Sequence, residues 1–281
     1  MMCLNRRIRS WVGLTVFTAA IVAGHTSNAA TFLWNAPAPG ANNWTDSANW
    51  SPTGIPGITD TAIFGVIGTG TDAFTVNHLV NANPSVSALS YTNAISGAWH
   101  VTQIPAPNKL TVTNNFTVGG LNADASITSV ALIGDGTLEV DGPAFKVGNA
   151  GASSTSTLNA TLDMSGLSNF VYNAPGGTWI VAGSGGDARA GGVLDLAGLS
   201  NNITVNTINF NTGSANNSGF HSLIQLGGGT NIFNVGTFVV CQTKAQFADV
   251  QFLNTAPSTA GLRIRGTNGA SDDTPRANIT L

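Results

Sequence analysis

Charge is scarce in this chain of 281 residues: Asp, Glu, Lys and Arg make up 8%, against about 25% in ordinary globular domains. Glutamate occurs once, as Glu139, and cysteine twice, as Cys3 and Cys241. Without a basic patch to neutralise phosphates, nucleic acid is excluded as a natural partner. With so few thiols a disulfide framework is excluded too. Packing and backbone pairing must hold the fold together. Also missing after residue 30 is any sustained 3.6-residue apolar period, which argues against helices. No apolar run there is long enough for a membrane-spanning helix.

What is present begins with a leader. Arg6, Arg7 and Arg9 precede an apolar run from Trp11 to Gly24, and Ser27-Asn28-Ala29 follows. Positive cluster, apolar stretch and small-residue site are the three parts of a secretory signal peptide, with cleavage expected between Ala29 and Ala30. The alternative is an N-terminal membrane anchor, but a run of about 14 residues falls short of the roughly 18 to 20 that span a bilayer. Arg6-Arg7 also fits a twin-arginine route, for which no cofactor motif follows. Removing three leader arginines from ten basic residues leaves seven against thirteen acids, a net of −6. Solubility then rests on Asn, Thr, Ser and Gly, as in secreted β-structure. The expected location is extracellular or at a bacterial cell surface.

Short apolar alternations recur between Gly, Asn, Ser and Pro clusters. Examples are Leu110-Thr111-Val112, Leu138-Glu139-Val140, Phe145-Lys146-Val147, Trp179-Ile180-Val181 and Ile203-Thr204-Val205. Period-two runs this close together leave no room for helices between them, so the chain is all-β. Leu162-Asp163-Met164-Ser165-Gly166-Leu167-Ser168-Asn169 returns 32 residues later as Leu194-Asp195-Leu196-Ala197-Gly198-Leu199-Ser200-Asn201. A fixed period with short strands and Gly/Asn turns predicts a parallel β-helix, or β-solenoid, in which each coil stacks on the last. A β-sandwich is the alternative that the same alternation could build. Asn at the turns could stack in ladders. Cys241, in Phe238-Val239-Val240-Cys241, reads as a buried, unreactive thiol.

The expected organisation is a signal peptide over 1–29, an N-terminal cap over 30–65 and solenoid repeats over 66–281. The cap holds Trp34, Trp44 and Trp50, read as its buried core. In the opposing reading these three rings form a carbohydrate-stacking platform. Because the last residues, Asn278-Ile279-Thr280-Leu281, read as the start of another strand, the chain is expected to be part of something longer.

The segment Trp34-Asn35, Asn42-Asn43-Trp44-Thr45, Ala48-Asn49-Trp50-Ser51, Gly54-Ile55-Pro56-Gly57 and Asp60-Thr61-Ala62-Ile63-Phe64 resembles the opening of secreted bacterial proteins with autotransporter-associated β-strand repeats. The repeat Leu-Asp-(Met/Leu)-x-Gly-Leu-Ser-Asn is similar to theirs, as are Leu226-Gly227-Gly228-Gly229-Thr230-Asn231-Ile232-Phe233 and Leu262-Arg263-Ile264-Arg265-Gly266-Thr267-Asn268-Gly269. The resemblance implies a right-handed parallel β-helix and a surface or extracellular role. It implies no catalytic residues. This chain departs from the pattern in showing neither a translocator barrel nor a sorting tail.

Catalysis on such a scaffold would need clustered acids. The candidates are Asp135, Glu139 and Asp141, of which the last two share a strand face; the competing reading is a solvated outer face. Asp163 and Asp195 recur with the repeat and read as structural, because an active site needs building only once. His78, His100 and His221 lack metal-ligand spacing, and Asp272-Asp273 alone makes a poor calcium site. No cofactor or metal is expected. The sequence thus points to a non-catalytic, adhesin-like structural protein whose partners are extracellular glycans or neighbouring cell surfaces. A polysaccharide-active enzyme (lyase or glycosidase) and a carbohydrate-binding module are the alternatives.

Overall fold

The computed structural model describes residues 29–93, 95–119, 127–148, 158–185, 190–213, 221–241, 247–253, 259–267 and 278–280. The leader, its cleavage site up to Asn28 and Asp272-Asp273 lie outside the described residues.

Twenty strands follow one another, and no α-helix occurs among the described residues. The first seven are β1 (Thr31–Trp34), β2 (Asn42–Asn43), β3 (Trp50–Ser51), β4 (Thr61–Phe64), β5 (His78–Leu79), β6 (Ser85–Tyr91) and β7 (Trp99–Gln103). Next come β8 (Lys109–Val118), β9 (Ile127–Ile133), β10 (Thr137–Val140), β11 (Ala144–Val147), β12 (Leu158–Gly166), β13 (Asn169–Gly185) and β14 (Ala190–Asp195). The last six are β15 (Ser200–Gly213), β16 (Ser222–Leu226), β17 (Thr230–Val240), β18 (Ala248–Phe252), β19 (Gly261–Arg265) and β20 (Asn278–Thr280).

These strands build two sheets, and the chain alternates between them. One has twelve strands along the path β3-β1-β4-β6-β8-β10-β13-β15-β17-β19, with β11 and β20 alongside; the other runs β2-β5-β7-β9-β12-β14-β16-β18. Among the described residues every ladder is parallel except β1 with β3. That is a parallel β-solenoid, as the repeat predicts, without the antiparallel ladders of a sandwich among those residues.

Alternation decides which side chains enter the core. In β10 and β11 the odd and even positions alternate between half-buried and buried. Parallel register then stacks like on like. Leu89, Phe116, Phe145, Trp179, Ile208 and Phe238 form one continuous inner column from β6 to β17, all buried. Phe116 and Phe145 stack with ring centroids 4.9 Å apart. Each such side chain contributes about 1.5–3 kcal/mol by leaving water.

The sequence repeat is a physical ladder at one end of its length and not at the other. Leu162 and Asp163 of β12 lie in register with Leu194 and Asp195 of β14, each 32 residues apart. A constant period would then set Asn169 beside Asn201. Instead Phe170 pairs with Asn201, because β12 runs on through Gly166 with a register shift after Asp163 while β14 stops at Asp195. A slip of one residue exchanges inner for outer faces. Asn169 therefore donates to Thr137 Oγ1 at 3.3 Å, while Asn201 turns inward and is buried. There Asn201 closes its own turn, accepting from Ala197 N at 3.0 Å and donating to Ala197 O at 2.8 Å. It also donates to Asn231 Oδ1 at 2.8 Å, and Asn231 repeats the motif around Gly227. This is the expected asparagine ladder, with two buried rungs.

Residues 30–65 supply β1 to β4. β1 pairs in parallel with β4, β2 with β5, and β3 closes the sheet edge in antiparallel fashion. Trp34, Trp44 and Trp50 are all buried, with Trp34 and Trp44 each 4.9 Å from Trp50 edge to face. These rings keep no free face, so they are not a platform for sugars. A correction concerns Cys241. It stands just past β17 at φ 52° and is half-buried, rather than buried within the strand.

Candidate functional sites

The three acids singled out by sequence come from one flank. Asp135 sits in the turn before β10 at φ 62°, its N–H donating to Gly166 O at 3.1 Å and its side chain exposed. Glu139 points outward from β10, where register places it between Thr111 of β8 and Val171 of β13. Its carboxylate is bonded to Lys109 Nζ. Asp141 follows β10 and is exposed; partial burial, then the neighbouring Glu139, push its carboxyl up, while Lys109 opposes them. Glu139, Asp141 and Lys109 thus share one electrostatic neighbourhood. Asp135 stands apart at the head of the strand, up to about 13 Å along it from Glu139.

A closer pair of acids lies on the other sheet. Parallel register sets Asp195 of β14 directly beside Asp163 of β12, with Ala131 beyond on one side and Gln225 on the other. Asp163 Oδ1 accepts from the backbone N–H and the hydroxyl of Ser165, at 2.8 and 2.6 Å. Asp195 Oδ1 is buried with no hydrogen-bond partner. Burial first, and the charge of Asp163 second, push the Asp195 carboxyl up to about 7. At neutral pH Asp195 is therefore about half protonated, because burial and the adjacent carboxylate both oppose its ionisation. The repeat in the sequence revealed the pairing. Only the burial of one member reveals that it titrates.

Sequence spacing gave no hint that His78 and His100 meet. The coils are irregular here: His78 pairs with Thr102, while His100 pairs with Val130. Both imidazoles are buried, their centroids 5.2 Å apart, among Trp34, Phe64 and Tyr91. His221 lies elsewhere, exposed, with Nδ1 3.4 Å from Asp249 Oδ2. Among the described residues no group of three or more His, Cys, Asp or Glu side chains is placed to hold a metal ion.

Two cavities open on the surface formed by the described residues. One, of about 450 Å³, is an open groove between Ala38-Pro39 and the loop Thr69–Thr75, with Thr69, Thr71, Asp72 and Thr75 along its wall. Three hydrogen bonds, from Phe74 N, Thr75 N and Thr75 Oγ1, hold Asp72 below the usual carboxylate range. The other, of about 240 Å³, opens at the last coil among Leu226, Phe238, Val240, Val250, Phe252, Leu262, Ile264 and Ile279. Neither contains Asp135, Glu139 or Asp141. Among the described residues no helix is long and apolar enough to cross a membrane.

No family model matches this chain, and no curated protein or solved structure matches it.

Proposed function

We propose that this chain is a non-catalytic, exported structural protein of the cell surface or extracellular space, akin to secreted proteins with autotransporter-associated β-strand repeats. Its solenoid is a rigid, elongated support that presents hydroxyl and amide side chains to glycans or neighbouring cells. The observation that carries this reading is how the chemistry-bearing side chains are used. Glu139 is neutralised by Lys109, Asp163 and Asp195 stack on each other, and the buried asparagines bind the coils together. Many outward positions, such as Thr111, Thr117, Asn202, Thr204 and Asn206, carry hydroxyl or amide groups, chemistry suited to weak, repeated contacts with sugar hydroxyls. The groove walled by Thr69, Thr71, Asp72 and Thr75 is the place where a neutral glycan would seat.

One observation favours the polysaccharide-active alternative: a lysine beside two carboxyl groups, one of them with its pKa raised. A single experiment separates the two. Purified protein is incubated with cellulose, chitin, peptidoglycan and pectin, and both retention and soluble products are measured. Retention without cleavage is the expected result. Cleavage products that vanish in the Glu139→Gln variant would overturn the proposal. Export is tested in parallel, by fractionating cells that express the chain with and without residues 1–29.

A further inference from the structure

We propose that His78 and His100 are an acid-operated latch, which keeps the N-terminal end of the solenoid closed at neutral pH and releases it on acidification. The inference stands independently of the function proposed above. The two rings occupy the place where the first coil packs onto the next ones. Trp34 of β1 meets His78 edge to face at 4.9 Å, and Phe64 of β4 touches both imidazoles, at 4.4 and 5.8 Å between centroids. Gly68, at φ +83°, admits this packing, since a Cβ there would fall 2.7 Å from Trp34 and 3.0 Å from His78.

The hydrogen bonds of His100 fit a neutral ring and offer nothing to a second ring proton. His100 Nε2 donates to Gly65 O at 2.6 Å, which leaves its Nδ1 as a buried lone pair without a donor. His78 Nδ1 lies 3.1 Å from Thr102 Oγ1, which lies 2.9 Å from the Tyr91 hydroxyl. Tyr91 can donate to Thr102 and Thr102 to His78; in that arrangement the His78 proton lies on Nε2, facing the Gly68 backbone without a well-formed bond.

Among the described residues no counter-ion faces the pair. The strands packed around it, β1, β2, β4, β6 and β9, carry no Asp, Glu, Lys or Arg, and among the described residues Tyr91 is the other titratable side chain facing the rings. Acids elsewhere in this end are held in their own turns: Asp46 by Ala48 N, Asp60 by Ala30 N and Gly57 N, and Asp72 by Phe74 N and Thr75 N. A proton on either ring is therefore a buried cation without compensation, made worse by the other ring.

Both pKa values are depressed, by burial first; that of His100 falls from 6.5 to about 4, and that of His78 lies well below 6.5, with the neighbouring His100 adding to the effect of burial. Depressed bases favour the closed form above the unperturbed pKa and lose that advantage as pH falls toward the folded value. Each histidine that takes a proton on opening shifts the open-to-closed ratio roughly tenfold per pH unit within that window. Two together shift it roughly a hundredfold. Opening would bare Trp34, Trp44 and Trp50, turning a closed end into an aromatic surface.

Hydrogen exchange followed by mass spectrometry between about pH 6.5 and 4.5, corrected for intrinsic rates, reads this directly. Peptides spanning β1, β4, β5 and β7 are expected to lose protection steeply with acid, while those of β13 and β15 do not share that slope. His100→Gln, which can still donate to Gly65 O, is expected to reduce the slope to about tenfold per unit. An unchanged slope in that variant, or equal acid sensitivity along the whole solenoid, overturns the latch. Ring-proton NMR on the unaltered protein guards against a variant that does not fold. Both imidazoles should stay neutral in the closed form at pH 5.5, and a buried ring that titrates near 6.5 without opening also overturns the proposal.

Discussion

Asp195→Asn should stabilise the solenoid at neutral and alkaline pH and leave it unchanged in acid. In the native chain Asp195 holds its proton up to about pH 7, whereas the unfolded value is 3.8. A raised acid means that the native state binds more protons than the unfolded one, so stability is full below pH 3.8 and declines as pH rises toward 7. At about 1.36 kcal/mol per unit this span sets an upper limit of about 4 kcal/mol. Residual solvent contact of the side chain lowers the working expectation to about 2 kcal/mol. Asparagine avoids the penalty, since it cannot ionise and its amide can donate to the Asp163 carboxylate beside it. Urea unfolding followed by tryptophan fluorescence, for wild type and variant at pH 4, 6 and 8, gives the midpoints. The difference between the two proteins cancels the histidine contribution, which both share. It should be close to zero at pH 4 and grow with pH. A variant less stable than wild type at pH 8, or a difference independent of pH, would refute the stacked-acid reasoning.

Three further outcomes follow from the same geometry. Asn201→Ala strands the buried Ala197 N–H and C=O and removes one of the two hydrogen bonds to Asn231 Oδ1, and should cost about 2–4 kcal/mol in thermal unfolding; a loss below about 0.5 kcal/mol would deny the ladder its role. Phe145→Ala empties the inner column between Phe116 and Trp179 and should cost about 3–5 kcal/mol, while Phe74→Ala, at 84% exposed, should stay within about 0.5. Glu139→Gln should change stability by no more than about 1 kcal/mol, because its partner Lys109 is half exposed; a larger effect, or one insensitive to salt, would show the pair to be more than a surface bridge.

The strands were legible because they are local: Leu138-Glu139-Val140 and Phe145-Lys146-Val147 alternate in the sequence and alternate in burial. So was the Leu162–Leu194 stacking, which a literal repeat encodes. The fate of Asn169 and Asn201 was not legible, because a register shift of one residue after Asp163 decides it and leaves no mark in composition. His78 and His100 stayed hidden for a similar reason. Their coils differ in length, so residues that share a buried box share no period. The acids on the β10 flank were found by proximity in sequence, which correctly joins Glu139 to Asp141 but overlooks Lys109, thirty positions away.

The sequence by itself determined that the chain would form β-strands with alternating inner and outer faces, since period-two alternation depends only on neighbouring residues. It also determined the poverty of charge that leaves few ionisable groups to meet one another. The tertiary structure alone decided which of those groups are buried and beside whom. Carboxyl beside carboxyl at Asp163 and Asp195, and imidazole beside imidazole at His78 and His100, arise from coil register. Register is a sum of loop lengths over tens of residues. One residue more or less moves a side chain from water to core, and with it the sign of every electrostatic consequence.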